Sequence, residues 1–265
     1  MGMTPVVSSS PSERLSAGGI ELEVVRRGTG HPVLLLHGMQ NVDPRARFLD
    51  LLGRRAEIIA PSHPGFGHSP RPADFETVSD LVHLYLDVLD GLPYPKVTLM
   101  GFSFGGWLAA EIAVKCRHRL DRLVLVDAFG LKLSDRETPD ILDVFNTSPQ
   151  EVRRRSWHDP AKAPDLDAMS DDELIVRARN RDALCLYGWH PYMYDPQLKR
   201  WLRRITIPTL VLWGAWDGIV KPSYGRGYSA LIPGSRFEVI EAAGHHPEIE
   251  QPEAFAERVA AFLDR

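Results

Sequence analysis

The stretch Val97-Thr98-Leu99-Met100-Gly101-Phe102-Ser103-Phe104-Gly105-Gly106-Trp107-Leu108-Ala109-Ala110-Glu111-Ile112-Ala113 decides the reading of this chain. Its first four residues form a short, continuous apolar run, the pattern of a strand buried on both faces. Its last residues place Leu108, Ile112 and Ala113 at helical spacing. Between them lies Gly-x-Ser-x-Gly. The two outer glycines lack a Cβ, so the chain can turn sharply enough to expose a serine hydroxyl at a strand tip. A helix starting just beyond aims its N-terminal amides at whatever that hydroxyl attacks. A Gly/Ser turn alone is common. The strand before it and the Gly105-Gly106 pair opening a helix after it make Ser103 a candidate nucleophile.

The same rhythm extends outward. Ile20-Glu21-Leu22-Glu23-Val24-Val25 alternates apolar and polar residues and predicts a strand with one wet face. Val33 to Leu36, Ile58 to Ala60, Leu123 to Val126, Thr209 to Leu212 and Phe237 to Ile240 are further short apolar runs of the kind that predicts strands buried on both faces. Leu81, Leu84, Tyr85, Val88 and Leu89 recur at helical spacing, as do Phe255, Val259, Phe262 and Leu263. Strands alternating with helices predict right-handed crossovers and a parallel sheet covered on both sides. From Phe129 to Arg204 no buried-strand pattern occurs, and helical stretches such as Asp171 to Leu186 appear instead. That is too long for a loop and predicts a helical insertion covering the serine. The expected organisation is a Ser/Pro-rich leader over 1–12, a core formed by 13–128 and 205–265, and a helical cap over 129–204.

Composition narrows the partners. The 265 residues are 44% hydrophobic and 25% charged with a net charge of -4, ordinary for a globular protein and without a basic face for nucleic acid. Arg153-Arg154-Arg155 reads as a solvated helix face. Cys116 and Cys185 form neither a disulfide framework nor a metal spacing and are expected as small buried hydrophobes. Low cysteine use, no apolar run near the ~20 residues of a membrane span and no signal-peptide pattern lead to the expectation of a cytoplasmic protein. No cofactor or metal is expected, and the pattern leaves the oligomeric state open.

A serine hydroxyl that attacks a carbonyl needs a base, an acid to orient the base, and N–H donors for the developing oxyanion. The candidate base is His245, in the loop Ala243-Gly244-His245-His246-Pro247 after the final strand-like run. His246 competes, and the glycine before His245 favours the latter. The candidate acid is Asp217, which ends Trp213-Gly214-Ala215-Trp216-Asp217. Asp127, at the end of the Leu123 to Val126 run, is its rival. The oxyanion donors are expected to be the backbone N–H groups of Phe104 and of Met39, the latter following His37-Gly38.

Together these residues resemble the α/β-hydrolase superfamily in its members with a helical cap. The resemblance runs through His37-Gly38, Pro64-Gly65-Phe66-Gly67-His68-Ser69, Gly101 to Gly106, Gly214 to Asp217, and Gly244-His245 with Glu250 and Pro252 following. It covers nearly the whole chain beyond the first dozen residues, with the insertion matching by position only. The resemblance implies an α/β fold with a mostly parallel eight-stranded sheet, helices on both faces and a cap. The order Ser103, Asp217, His245 matches the family's triad order. Dehalogenases and epoxide hydrolases of this family place an aspartate where Ser103 stands, so the serine implies acyl transfer through an acyl-enzyme.

The substrate implied is a small hydrophobic carboxylic ester. The alternatives are a lactone, or the carbon–carbon bond of a ring-fission product of aromatic catabolism. Carbon–carbon hydrolases usually carry a longer glycine-rich stretch and a Trp after the catalytic histidine, where this chain has Met39-Gln40-Asn41-Val42 and His246. A non-catalytic small-ligand receptor on the same fold is the reading from a different class. Gly38, Trp189, Tyr192 and His246 are the candidate pocket residues, the two rings belonging to the aromatic stretch Tyr187 to Tyr194, whose rings serve equally well to glue the cap to the core. Arg177, Arg179 and Arg181 alternate in the insertion, where a solvated face or a contact to an anionic substrate are both open.

Overall fold

Gly18 and Gly19, at φ of 55° and 77°, make the two-residue turn joining β1 (Glu13–Ala17) to β2 (Ile20–Arg27). A computed structural model describes residues 13–264, so the leader expected over 1–12 lies outside the described residues. The chain continues through β3 (His31–Leu36), β4 (Ala56–Pro61), β5 (Val97–Phe102), β6 (Leu120–Val126), β7 (Thr209–Gly214) and β8 (Arg236–Ile240). The eight strands form one sheet in the order β1-β2-β4-β3-β5-β6-β7-β8. β2 pairs antiparallel with β1 and β4, and the remaining pairings are parallel. The mostly parallel eight-stranded α/β sheet implied by the sequence is the one observed.

The helices are α1 (Arg47–Leu52), α2 (Val78–Gly91), α3 (Phe104–Lys115), α4 (Pro149–Ser156), α5 (Asp171–Gly188), α6 (Leu198–Trp201), α7 (Pro222–Ala230), α8 (Pro247–Glu250) and α9 (Pro252–Leu263). Side-chain alternation along the strands divides the core. Leu34, Leu36, Leu99, Leu123, Leu125 and Val211 pack on one face with residues of α2 and α3. Val33, Leu35, Met100, Val124, Val126 and Leu212 pack on the other with residues of α1 and α9. Burial on both faces is why these strands read as continuous apolar runs.

Two expectations are corrected. Phe237 to Ile240 reads as a fully buried strand, but β8 has one sheet neighbour and only Ile240 of its residues is buried. Cys116 is buried as expected, whereas Cys185 is half-buried, because that flank of α5 faces solvent beside the exposed Leu186.

Between β6 and β7 the chain forms α4, α5, α6 and short 3-10 turns, with no strand longer than an isolated bridge. The Ser148 side chain caps α4, and Ser170 with Glu173 forms a capping box at the start of α5. Tyr187 of α5 stacks over Phe66 and Phe104, and its hydroxyl donates to the Pro64 carbonyl at 3.2 Å.

The turn from β5 into α3 has no room for side chains. A Cβ on Gly105 would lie 2.1 Å from the Leu36 carbonyl oxygen and 2.4 Å from that of His37. Gly105→Ala is therefore expected to lose at least about 3 kcal/mol of stability in urea titration. Gly91→Ala, with nothing within 4 Å of the new methyl, serves as the control and is expected to leave stability level or raise it by up to about 1 kcal/mol.

Candidate active site

Ser103 occupies φ 52°, ψ -113°, a backbone region that non-glycine residues rarely adopt. Four backbone hydrogen bonds hold it there. Its N–H donates to the Val126 carbonyl at 2.8 Å, and its own carbonyl accepts from Gly106, Trp107 and Phe129 at 3.0, 3.2 and 3.0 Å. The turn brings the hydroxyl to the C-terminal edge of the parallel strands, where the loops after β7 and β8 also converge.

His245 Nε2 lies 2.9 Å from Ser103 Oγ, and His245 Nδ1 lies 2.7 Å from Asp217 Oδ2. A carboxylate only accepts, so Nδ1 carries the proton and Nε2 is left to accept from the serine hydroxyl. The second oxygen of Asp217 accepts from the N–H groups of Ile219 and Val220 at 2.8 and 3.0 Å. The acid is fixed by three donors and wholly shielded from solvent. The ring of Phe129 stacks on His245 at 5.5 Å. Three residues spread over 142 positions of sequence thus form one hydrogen-bonded line. Asp127 lies close by, yet its carboxylate bonds the Gly214 N–H at 2.9 Å rather than the imidazole.

Residues 33–258 match the family model described as the alpha/beta hydrolase family. The chain belongs to this family. Among its relatives, the 2-hydroxy-6-oxo-2,4-heptadienoate hydrolase of Pseudomonas putida is 32% identical over 276 residues, covering 97% of this chain and 98% of the relative. The 2-hydroxymuconate semialdehyde hydrolase of Pseudomonas sp. strain CF600 is 29% identical over 279 residues, with 98% and 96% covered. Among solved structures, a meta-cleavage product hydrolase is similar with a TM-score of 0.73 and 25% identity, covering 96% of this chain and 98% of the other. The chain is a hydrolase of this fold, and no helix among the described residues is long and apolar enough to cross a membrane.

Gly38 lies against the serine of this hydrolase: a Cβ there would sit 3.1 Å from Ser103 Cβ and 3.7 Å from Oγ. Met39 follows it, packed at the edge of the core, and Phe104 is the first residue of α3, where an N–H has no intrahelical acceptor. His246 turns aside, its ring stacked on Trp157 at 4.5 Å and its Nδ1 3.8 Å from Glu248. Tyr192 donates its hydroxyl to the Leu142 carbonyl, accepts from the Val144 N–H, and forms an aromatic cluster with Phe145 and Trp189. Trp189 is 53% exposed. These two rings contact the insertion itself, and His245 is not among their aromatic neighbours.

Two features carry little sequence signal. Asn180, fully buried on α5, donates to Gln40 Oε1 and Asn41 Oδ1 at 2.9 and 3.0 Å and accepts from the Gly67 N–H at 2.8 Å. It ties the insertion to the loop carrying Met39, and only its place in an otherwise exposed stretch of helix hints at this. The second is a buried histidine pair. His37 donates from Nδ1 to the Gly38 carbonyl and accepts the His63 N–H at Nε2. His63 donates from Nε2 to the His37 carbonyl and accepts from the Tyr85 hydroxyl. The rings stack at 3.8 Å. This network fixes the start of the Gly38-Met39 loop.

Burial pushes His37 down to about 4, and burial together with the neighbouring His37 pushes His63 well below the usual histidine range. The unfolded chain takes up these protons below about pH 6.5, and the folded chain resists doing so until near pH 4. The stability from this pair is therefore complete above pH 6.5 and drains as pH falls toward 4. A loss of at least about 3 kcal/mol is expected across that window from His37 alone. Urea titrations at stepped pH check it, and a flat profile contradicts it. Asn180→Ala, which strands the Gly67 N–H and two amide groups, is expected to cost about 2–4 kcal/mol in the same assay at neutral pH.

Proposed function

We propose that Ser103, His245 and Asp217 are a catalytic triad and that this hydrolase cleaves a small carbonyl compound by acyl transfer. The observation that carries the reading is the unbroken line from Asp217 Oδ2 through the His245 ring to Ser103 Oγ, at 2.7 and 2.9 Å. Ser103 Oγ bonds to the substrate carbonyl carbon as His245 Nε2 takes its proton, and the Met39 and Phe104 N–H groups receive the oxyanion. His245 returns the proton to the leaving group. A water then repeats the sequence and frees the acid. The segment 129–204 is read as the cap over this centre, with Gly38, His246, Trp189 and Tyr192 as its proposed pocket residues.

Of the bonds such a triad opens, we favour a carbon–carbon bond in a vinylogous 1,5-diketone. The relatives' names support this, since the 32%-identical one matches over nearly the full length of both chains. A carbon leaving group departs only if its electron pair spreads onto a conjugated carbonyl. The heptadienoate in that relative's name is a carboxylate, and a cation would pair with it. Arg177 on α5 is half-buried, its pKa is lowered by burial, and it has no ion pair or hydrogen bond among the described residues. Arg179 and Arg181 are exposed. Ester cleavage by the same three residues is the second reading, favoured by Met39 and His246 where carbon–carbon hydrolases usually carry glycine and Trp.

Turnover of a vinylogous 1,5-diketone acid is expected to exceed that of a short p-nitrophenyl ester, and the reverse ranking selects the ester. Ser103→Ala is expected to lower either activity by roughly 10³-fold or more with the fold intact by circular dichroism. A fluorophosphonate is expected to label Ser103. Failure to label would point to a ligand receptor.

A further inference from the structure

Asp127 directly follows β6, beside the acid of the proposed triad, and has no part in the chemistry described so far. One of its carboxylate oxygens, one of Asp217 and a ring nitrogen of His245 all lie within 4.8 Å of one another. The two acids are 1% and 3% exposed. They are unequally served. Asp217 receives two backbone N–H groups and the imidazole. Asp127 receives the Gly214 N–H alone, at Oδ1, and its buried Oδ2 has no hydrogen-bond partner among the described residues. The ionic partner found for this pair is the His245 ring, on Asp217.

Two carboxylates this close and this dry do not both ionise, and the proton goes to the one with fewer donors. Burial first, and then the charge of Asp217, push Asp127 well above the usual carboxylate range, against the pull of the Gly214 N–H. Glu248 of α8 adds a further negative charge from its side. The groups facing Asp127 are thus Asp217 from the loop after β7, His245 from the loop after β8, and Glu248.

We infer that Asp127 is a positioning residue: a neutral carboxylic acid whose Oδ2 hydroxyl donates a hydrogen bond to the Asp217 carboxylate and keeps the net charge beneath His245 at one. The proton satisfies the bare oxygen and gives Asp217 a further donor. An ionised Asp127 would add a second negative charge near the imidazole. That would hold His245 protonated to higher pH and shrink the fraction able to act as base. This inference rests on the triad reading for its consequence, but the protonation itself is testable without it.

Difference infrared spectroscopy of the whole protein at neutral pH is expected to show a protonated-carboxyl carbonyl band that is lost in Asp127→Asn. Identical spectra overturn the inference. The pH dependence of fluorophosphonate labelling of Ser103 gives the second readout. Asp127→Gly, in which glycine tolerates the φ of 45° found here, removes the donor and is expected to slow labelling about tenfold. Asp127→Asn supplies an N–H donor and is expected to rescue the rate, with the acid limb where wild type has it. If Asp127 were ionised, Asp127→Asn would remove a charge and shift that limb down by about one unit, which also overturns the inference. Wild-type protein that does not label speaks against the triad, and the infrared band then decides the protonation by itself.

Discussion

The backbone of Ser103 is the constraint on which the site depends. Its conformation costs on the order of 1–3 kcal/mol and persists only where its surroundings overdetermine it. Here they do. Its N–H and carbonyl engage β6, the first turn of α3 and the Phe129 N–H. A Cβ on Gly101 would meet the Gly105 carbonyl at 2.2 Å, and one on Gly106 would meet Ala128 at 2.5 Å. The strand, the helix and the loop after β6 therefore close onto one another with no spare volume, and the hydroxyl direction follows from that closure. A slacker turn would relieve the strain and lose the 2.9 Å contact with His245.

The acid and the base are braced from a different quarter. The His245 N–H donates to the Ser156 carbonyl at 2.7 Å, and the Gly218 N–H, next to Asp217, donates to the Arg155 carbonyl at 3.0 Å. Glu250 accepts the Gly244 N–H on one oxygen and the Asp159 N–H on the other, at 2.6 and 2.9 Å. The end of α4 thus holds the loops of both His245 and Asp217, and the inserted segment supports the proposed site as well as adjoining it. Asn180 does the same for the Gln40-Asn41 loop. Each contact joins a buried polar group to a backbone or amide partner, so removing one leaves the other unpaired in a dry interior.

What was legible in the sequence follows the same division. Parallel strands buried on both faces write themselves as apolar runs, and the glycines of the elbow are dictated by contacts that only they survive. Ser103, Asp217 and His245 were therefore readable as strand-end residues in a fixed order. β1 was not, because Glu13-Arg14-Leu15-Ser16-Ala17 is a mostly exposed edge strand, although the Gly18-Gly19 pair after it is a hairpin signal. The apolar run of β8 overstates its burial because an edge strand can carry apolar residues that stay half-exposed. Asn180 and the state of Asp127 were out of reach for another reason. Their meaning comes from what long-range folding sets beside them, and no periodicity encodes that.

The proposed triad is itself indifferent to the bond it would open. An alkoxide leaving group needs only the proton that His245 already holds at the right place. A carbon leaving group needs its electron pair drawn away to a distant carbonyl and its proton delivered to carbon, so further groups must hold the far end of the substrate. Arg177, half-buried and without an ion pair or hydrogen bond among the described residues, lies on α5, the same helix that anchors the Gln40-Asn41 loop through Asn180. If Arg177 receives the substrate as proposed, recognition and the bracing of the Gln40-Asn41 loop by Asn180 share one helix. On that proposal the choice of bond would rest with the insertion rather than with the three residues proposed to break it.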